Sequence, residues 1–281
     1  FQAQLEKTKY TARSFRIRGD NNLFKHGNVT AARDNYLNAI ELDPTDPSLQ
    51  LNLGVAYLRL RENDNAKQCF LKALELAPTN SLALANLGIL AQAAGNADEA
   101  LELLSQAAKL GPSNHIVAMK YGDALFEKNL PEQALQQYLL VIQREPANQE
   151  GLTSVAKCYL QLGQFARAQT HLESTLALYE DDVPLQLMAI LAMSAAADET
   201  QRNPQQARLL LENIDSNSFP AEHAAAGAMV AAAAGNYDKA IAYQNQAIKQ
   251  ATNQQRSDLL PQLQVNLMRY QQQMLVTANQ R

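Results

Sequence analysis

Residues 51–80 read LNLGVAYLRLRENDNAKQCFLKALELAPTN, and residues 85–114 read ANLGILAQAAGNADEALELLSQAAKLGPSN. Laid one under the other, the two stretches share Leu-Gly near the start, an Ala followed by a bulky residue, a second Ala, and a Pro near the end. The shift between them is 34 residues. Outward from here the same step carries Pro44, Pro78, Pro112 and Pro146. It also carries Ala32, Ala66, Ala100, Ala134 and Ala168, then Tyr36, Phe70, Leu104, Tyr138 and Leu172. Several columns in one register are the mark of an array of structural repeats.

Each unit reads as two helices. In residues 81–114, Leu84, Leu87, Gly88 and Ala91 form an i, i+3, i+4, i+7 stripe. AGNADEA then turns the chain, with Gly95 free to take positive φ and Asn96 or Asp98 placed to cap the next helix. A second stripe follows through Ala100, Leu103, Leu104, Ala107 and Ala108, and Pro112 ends it, because proline cannot continue a helix. Small residues at Gly54, Gly88, Gly122 and Ala156 let the partner helix approach, and the bulky column fills the space between units. One unit cannot bury both of its faces, so units must stack.

The pattern Leu53-Gly54, Tyr57, Ala66, Phe70, Ala73, Pro78 resembles the tetratricopeptide repeat (TPR) family. The resemblance implies an all-α, right-handed superhelical solenoid. Five units hold the 34-residue register, at 13–46, 47–80, 81–114, 115–148 and 149–182. The first is irregular in its opening helix, with Gly19 and Asp20 where Leu and Gly are usual, and the fifth has Glu180 in place of the closing proline. Degenerate units are expected at 184–215, where DETQR makes a longer joining turn, and at 221–251. A capping helix is expected over about 258–277, with Leu260, Leu263, Leu267, Tyr270 and Met274 as its apolar stripe. The expectation is thus a single solenoid over residues 1–281, with about seven helix pairs and a cap. The last third resembles the C-terminal ends of some large bacterial TPR proteins.

Composition narrows the function. The 281 residues are 47% hydrophobic and carry a net charge of −4, which argues against nonspecific nucleic-acid binding. No run of about 18 apolar residues reads as a membrane span. Cys69 and Cys158 form no disulfide framework or metal motif, and His26, His115, His171 and His223 have no ligand spacing. No phosphate loop, zinc-protease or nucleophile-elbow motif is present, so the sequence reads as noncatalytic, with no cofactor. RGD at Arg18–Asp20 falls within a helical segment, and NVT at Asn28 occupies a turn where Asn is expected anyway.

Function is therefore expected on a surface. In TPR proteins the second, fifth, sixth, ninth, twelfth and thirteenth positions of each first helix line a concave groove. The resemblance places Arg18, Asn52, Asn86, Lys120 and Ser154 in the sixth position, a wholly polar file. Leu51 and Met119 fall in the fifth, and Asn21, Val55, Ile89 and Asp123 in the ninth. Phe24, Leu58 and Phe126 fall in the twelfth, and Arg59 in the thirteenth. An asparagine amide offers both donor and acceptor to an extended peptide, and each apolar side chain fully covered contributes about 1.5–3 kcal/mol. The same columns exclude the clamp with which some TPR domains hold a C-terminal carboxylate. Asn21 and Asn52 fit it, but Ile17, Leu82 and Asn86 stand where cations are needed.

The expected function is a protein–protein interaction scaffold or adaptor that binds a protein or peptide segment in this groove. The alternatives are an assembly subunit that uses its outer surface or ends, or the TPR arm of a larger enzyme. The chain reads as soluble, and repeats of this kind occur in cytoplasm and periplasm alike. It begins at Phe1 with a basic segment (Lys7, Lys9, Arg13, Arg16 and Arg18 against Glu6) that reads first as a solvated helix end; the alternative is contact with an anionic membrane surface, the segment lying beside the bilayer if a membrane tether preceded it.

Overall fold

The computed structural model describes residues 11–196 and 198–275. All regular structure among the described residues is helical. The chain divides into two compact units, Phe1–Leu130 and Pro131–Arg281.

The first unit holds α1 (Ala12–Asp20), continued by a π-helical stretch Asn21–Lys25, then α2 (Val29–Leu42), α3 (Pro47–Arg59), α4 (Asn63–Leu76), α5 (Ser81–Ala93), α6 (Ala97–Leu110) and α7 (His115–Glu127). The second holds α8 (Pro131–Arg144), α9 (Gln149–Gln161), α10 (Phe165–Leu176), α11 (Val183–Ser194), α12 (Pro204–Glu212), α13 (Pro220–Ala233), α14 (Tyr237–Asn253) and α15 (Leu260–Gln271). Within each unit, helices that are neighbours in sequence pack against each other, and the bulky column is buried: Tyr36, Phe70 and Leu104 in the first unit, Tyr138 and Leu172 in the second.

Local chemistry explains the helix starts. In the first unit, α3, α5 and α7 begin after Asp46, Asn80 and Asn114, whose side-chain oxygens accept from backbone N–H groups two or three residues on. In the second, Asn148 and Asp182 cap α9 and α11 in the same way. Such caps satisfy amide groups the helix cannot, and each contributes about 1 kcal/mol. The five caps lie 34 residues apart, so the strict register runs one helix further than the proline column, to the start of α11. The turn between paired helices also recurs. Its left-handed residue is Gly27, Arg61, Gly95 and Asn129 in the first unit, and Gly163 and Gly235 in the second. Arg61 holds φ 62° without glycine's freedom.

The first pair departs from the register, and the departure has a physical cause. A Cβ on Gly54 would sit 2.5 Å from the ring of Phe70, and one on Gly19 would sit 2.6 Å from the ring of Tyr36. Gly19 therefore does the work of Gly54, although it lies 35 residues before it. The helix starts agree: α1 begins at Ala12 after its cap Thr11, 35 residues before Pro47 and Asp46. By Gly27 the 34-residue step to Arg61 is restored. One extra residue is thus absorbed between Gly19 and Gly27. The π-helical stretch is where it goes, because an i→i+5 hydrogen bond such as His26 N–H to Asn21 O (3.0 Å) encloses one more residue than an α-helical turn.

The later pairs are looser versions of the plan. The long turn after α11 folds into a 3₁₀ turn, Glu199–Gln201, and is pinned by the Asn203 N–H donating to Met193 O at 2.8 Å. After it, α12 is only nine residues long. In α13, alanines make up most of the buried face. Leu263 and Tyr270 of α15 turn inward with Asn266, while Met274 lies beyond the helix end and is exposed.

Candidate functional site

The fourteen residues of the expected groove all belong to the first unit, on α1 and its π-helical stretch, α3, α5 and α7. The apolar members divide. Phe24 is 58% exposed, and Leu51, Val55, Leu58, Ile89 and Phe126 are half-buried. Met119 is 6% exposed and belongs to the packed interior rather than to an open surface. Ala85, in the same column, is buried as well. The fifth column is thus partly core: Ala85 and Met119 are covered, while Leu51 is half-buried.

The polar file is corrected at its first member. With α1 one residue out of step, Ile17, not Arg18, stands where Asn52 stands in α3, and Ile17 is 47% exposed. Arg18 is exposed, with its guanidinium 5.3 Å from the ring centre of Phe15. The file that remains in this unit is Asn52, Asn86 and Lys120.

Each of these three makes a bond within the protein. The Asn52 amide donates from Nδ2 to Asp20 Oδ1 at 3.1 Å, and the Tyr36 hydroxyl donates to the same oxygen at 2.8 Å. Burial, followed by this bond to the carboxylate, pushes the Tyr36 hydroxyl far above the usual tyrosine range, so it stays a donor. Asn86 donates from Nδ2 to Leu82 O of its own helix at 2.8 Å. Lys120 Nζ lies 3.1 Å from Asp123 Oδ2 one turn on. A second tie runs beside the first: Arg59 Nη1 donates to Leu23 O at 2.6 Å, and the Arg59 guanidinium lies 5.7 Å from the ring centre of Phe24.

Reading by 34-residue columns took Tyr36 as packing alone and missed Asp20 and the bond between them. The signal was present: Gly19 stands 35 residues before Gly54, and Tyr36 carries a hydroxyl where Phe70 has none. The shifted register also brings Arg16 to the fifth position in place of Ile17. A carboxylate clamp is still unsupported, since Leu82 and Asn86 remain and the Asp20 carboxylate already takes the Asn52 amide.

The described residues hold no group of three or more His, Cys, Asp or Glu side chains placed to bind a metal. Burial pushes the Cys69 thiol up to about 11 and the Cys158 thiol up to about 12, so neither is a thiolate nucleophile at neutral pH. No described helix is long and apolar enough to cross a membrane.

Comparison with known proteins places this geometry. A family model described as TPR repeat matches residues 21–60. Models described as tetratricopeptide repeat match residues 47–80, 69–102, 86–150 and 228–254. Among solved structures, PilF of Pseudomonas aeruginosa is similar at 22% identity with a TM-score of 0.57, over 83% of this chain and 98% of that one. MamA of Desulfovibrio magneticus RS-1 is similar at 17% identity with a TM-score of 0.50, over 61% of this chain and 97% of that one. No curated protein matches the sequence.

Proposed function

Because the chain belongs to the tetratricopeptide repeat family, we propose that it is a noncatalytic interaction scaffold whose first unit binds a segment of a partner protein along the faces of α1, α3, α5 and α7. The observation that carries this reading is the run of incompletely covered apolar side chains on those helices: Phe24, Leu58, Ile89 and Phe126. An exposed apolar patch rimmed by polar groups is the usual mark of an interaction surface. The Arg59 guanidinium, held by Leu23 O, lies over the Phe24 ring and favours that pose of it. Beside the apolar run, Asn52, Asn86 and Lys120 supply polar contacts to the backbone of the bound segment.

Two bonds refine the part played by the asparagines. One N–H of Asn52 serves Asp20 and one N–H of Asn86 serves Leu82 O, so each amide is oriented before a partner arrives. Orientation in advance lowers the entropy lost on binding. Energy comes chiefly from the aromatic and aliphatic anchors, and register from the amides.

The test is capture of partners from the native source on the purified chain, identification by mass spectrometry, and titration of the recovered partner. Changing Phe24, Leu58 and Phe126 together to Ser should weaken that partner by at least about tenfold while the far-UV circular dichroism is kept. Undiminished affinity of the folded triple variant would sink the proposed site.

A further inference from the structure

We propose a second docking site in the other unit: a trough between α12, α13 and α14 that takes an amphipathic, acidic helix of a partner protein. The space is about 800 Å³, within the range of real binding clefts. Its origin lies in the repeat itself. Counted back from the left-handed turn residue, Val155 and Tyr159 of α9 and Leu162 just past its end correspond to Gly227 and Ala231 of α13 and Ala234 just past its end. In α3 and just past its end the same three positions hold Leu53, Tyr57 and Leu60. At the first of these positions α3, α5 and α9 carry Leu53, Leu87 and Val155, where α13 has only Gly227, and the nine-residue α12 lines one side of the gap.

What remains is an apolar floor with a basic rim. Val230 and Ala231 form the floor with Gly227, while Leu209 stands on one wall, 61% exposed, and Tyr243 on the other. Arg208 and Lys239 line the edges against one carboxylate, Glu212, which pairs with Arg208 at 3.1 Å, so the rim keeps one net positive charge. Lys239 lies over the Tyr243 ring, its Nζ 5.5 Å from the centre. The balance of rim charge favours an acidic occupant.

The shape favours a helix. The floor positions 223, 227, 230, 231 and 234 follow the α-helical period and run roughly 16 Å along α13. A helix laid beside them would present side chains at i, i+4 and i+7 to the same gaps. Large apolar residues there would replace what α9 supplies with Val155 and Tyr159, with carboxylates on either flank to meet Arg208 and Lys239. Its lining residues all belong to the second unit and include none of the apolar run of the first, so its binding does not depend on Phe24 or Phe126.

Two fluorescent synthetic peptides of about fourteen residues test the idea, both with Leu at i, i+4 and i+7, one flanked by Glu and the other by Lys. Anisotropy titration of the full chain should show the Glu peptide binding at least about tenfold tighter than the Lys peptide. Gly227→Leu, which fills the trough, and Leu209→Glu, which alters an exposed wall without touching the core, should each weaken the Glu peptide by at least about tenfold. Arg208→Glu combined with Lys239→Glu should reverse the preference, while the Phe24, Leu58 and Phe126 triple variant should bind it as the unaltered chain does. No saturable binding, equal binding of both peptides, or unchanged binding by Leu209→Glu would each overturn the proposal. Displacement by dodecanoate with affinity above that of the Glu peptide would also overturn it, by assigning the trough to a small amphiphile.

Discussion

In α3, a Cβ on Gly54 would meet the Phe70 ring at 2.5 Å, and Leu53 beside it is buried. In α13, a Cβ on Gly227 would meet nothing closer than Tyr243, at 3.5 Å. Both glycines lie inside first helices of repeat pairs, one residue apart in register. Glycine at the first is demanded by a neighbour that leaves no room, and glycine at the second stands where a large residue would fit. The contrast shows that a repeat can keep its backbone plan while losing its filling, since the left-handed turn at Gly235 and the Asn236 cap of α14 hold the path of the chain after side-chain packing has thinned.

The sharpest way to break this comparison is to make the same change at both sites. Gly54→Ala should destabilise by about 1–3 kcal/mol through overpacking. Gly227→Ala should stabilise by up to about 1 kcal/mol, because alanine is the better helix former and the space is there. Urea unfolding of the two variants decides it, and shifts in the same direction would undo the argument. Gly19→Ala belongs with the first of these: if Gly19 fills the role of Gly54, it should cost a similar amount.

A smaller effect sharpens the view of the first pair. Tyr36→Phe keeps the ring that Phe70 provides in the next pair but removes the donor to Asp20, and should cost about 1 kcal/mol. The same substitution should leave binding of a groove partner within about twofold if the Asp20 contact is structural rather than part of the binding surface. Smallest is Arg61→Gly, which relieves a left-handed backbone that Gly27 and Gly95 adopt freely; a gain of about 0.5 kcal/mol is expected in the same unfolding assay.

Much of the fold was legible because close packing uses few residue types. Ala32, Ala66 and Ala100 tolerate nothing larger, Pro44, Pro78 and Pro112 end helices, and so the period shows without any alignment. What was illegible has one root: counting in steps of 34 assumes that no residue is inserted. That assumption put Arg18 in the file with Asn52 and hid the partnership of Asp20 with Tyr36, though Gly19 carried the clue. Burial of Met119 was hidden for another reason, since a column shows which way a helix faces but not how much of that face its neighbours cover. The trough along α13 is harder still to read from sequence, because it is made of side chains that are missing.

The π-helical stretch at Asn21–Lys25 has a consequence for how such an array diversifies. Duplication copies packing and surface together, so neighbouring units inherit the same face and compete to bind the same thing. A residue gained within a helix, rather than in a loop, breaks that inheritance in one unit without disturbing the next, since the path is back in step by Gly27. Here the broken symmetry brings a carboxylate, Asp20, onto a face where the next two pairs place Val55 and Ile89, and where only the fourth, with Asp123, has a carboxylate again. One pair of the first unit thereby acquires a chemical identity that the two pairs after it lack.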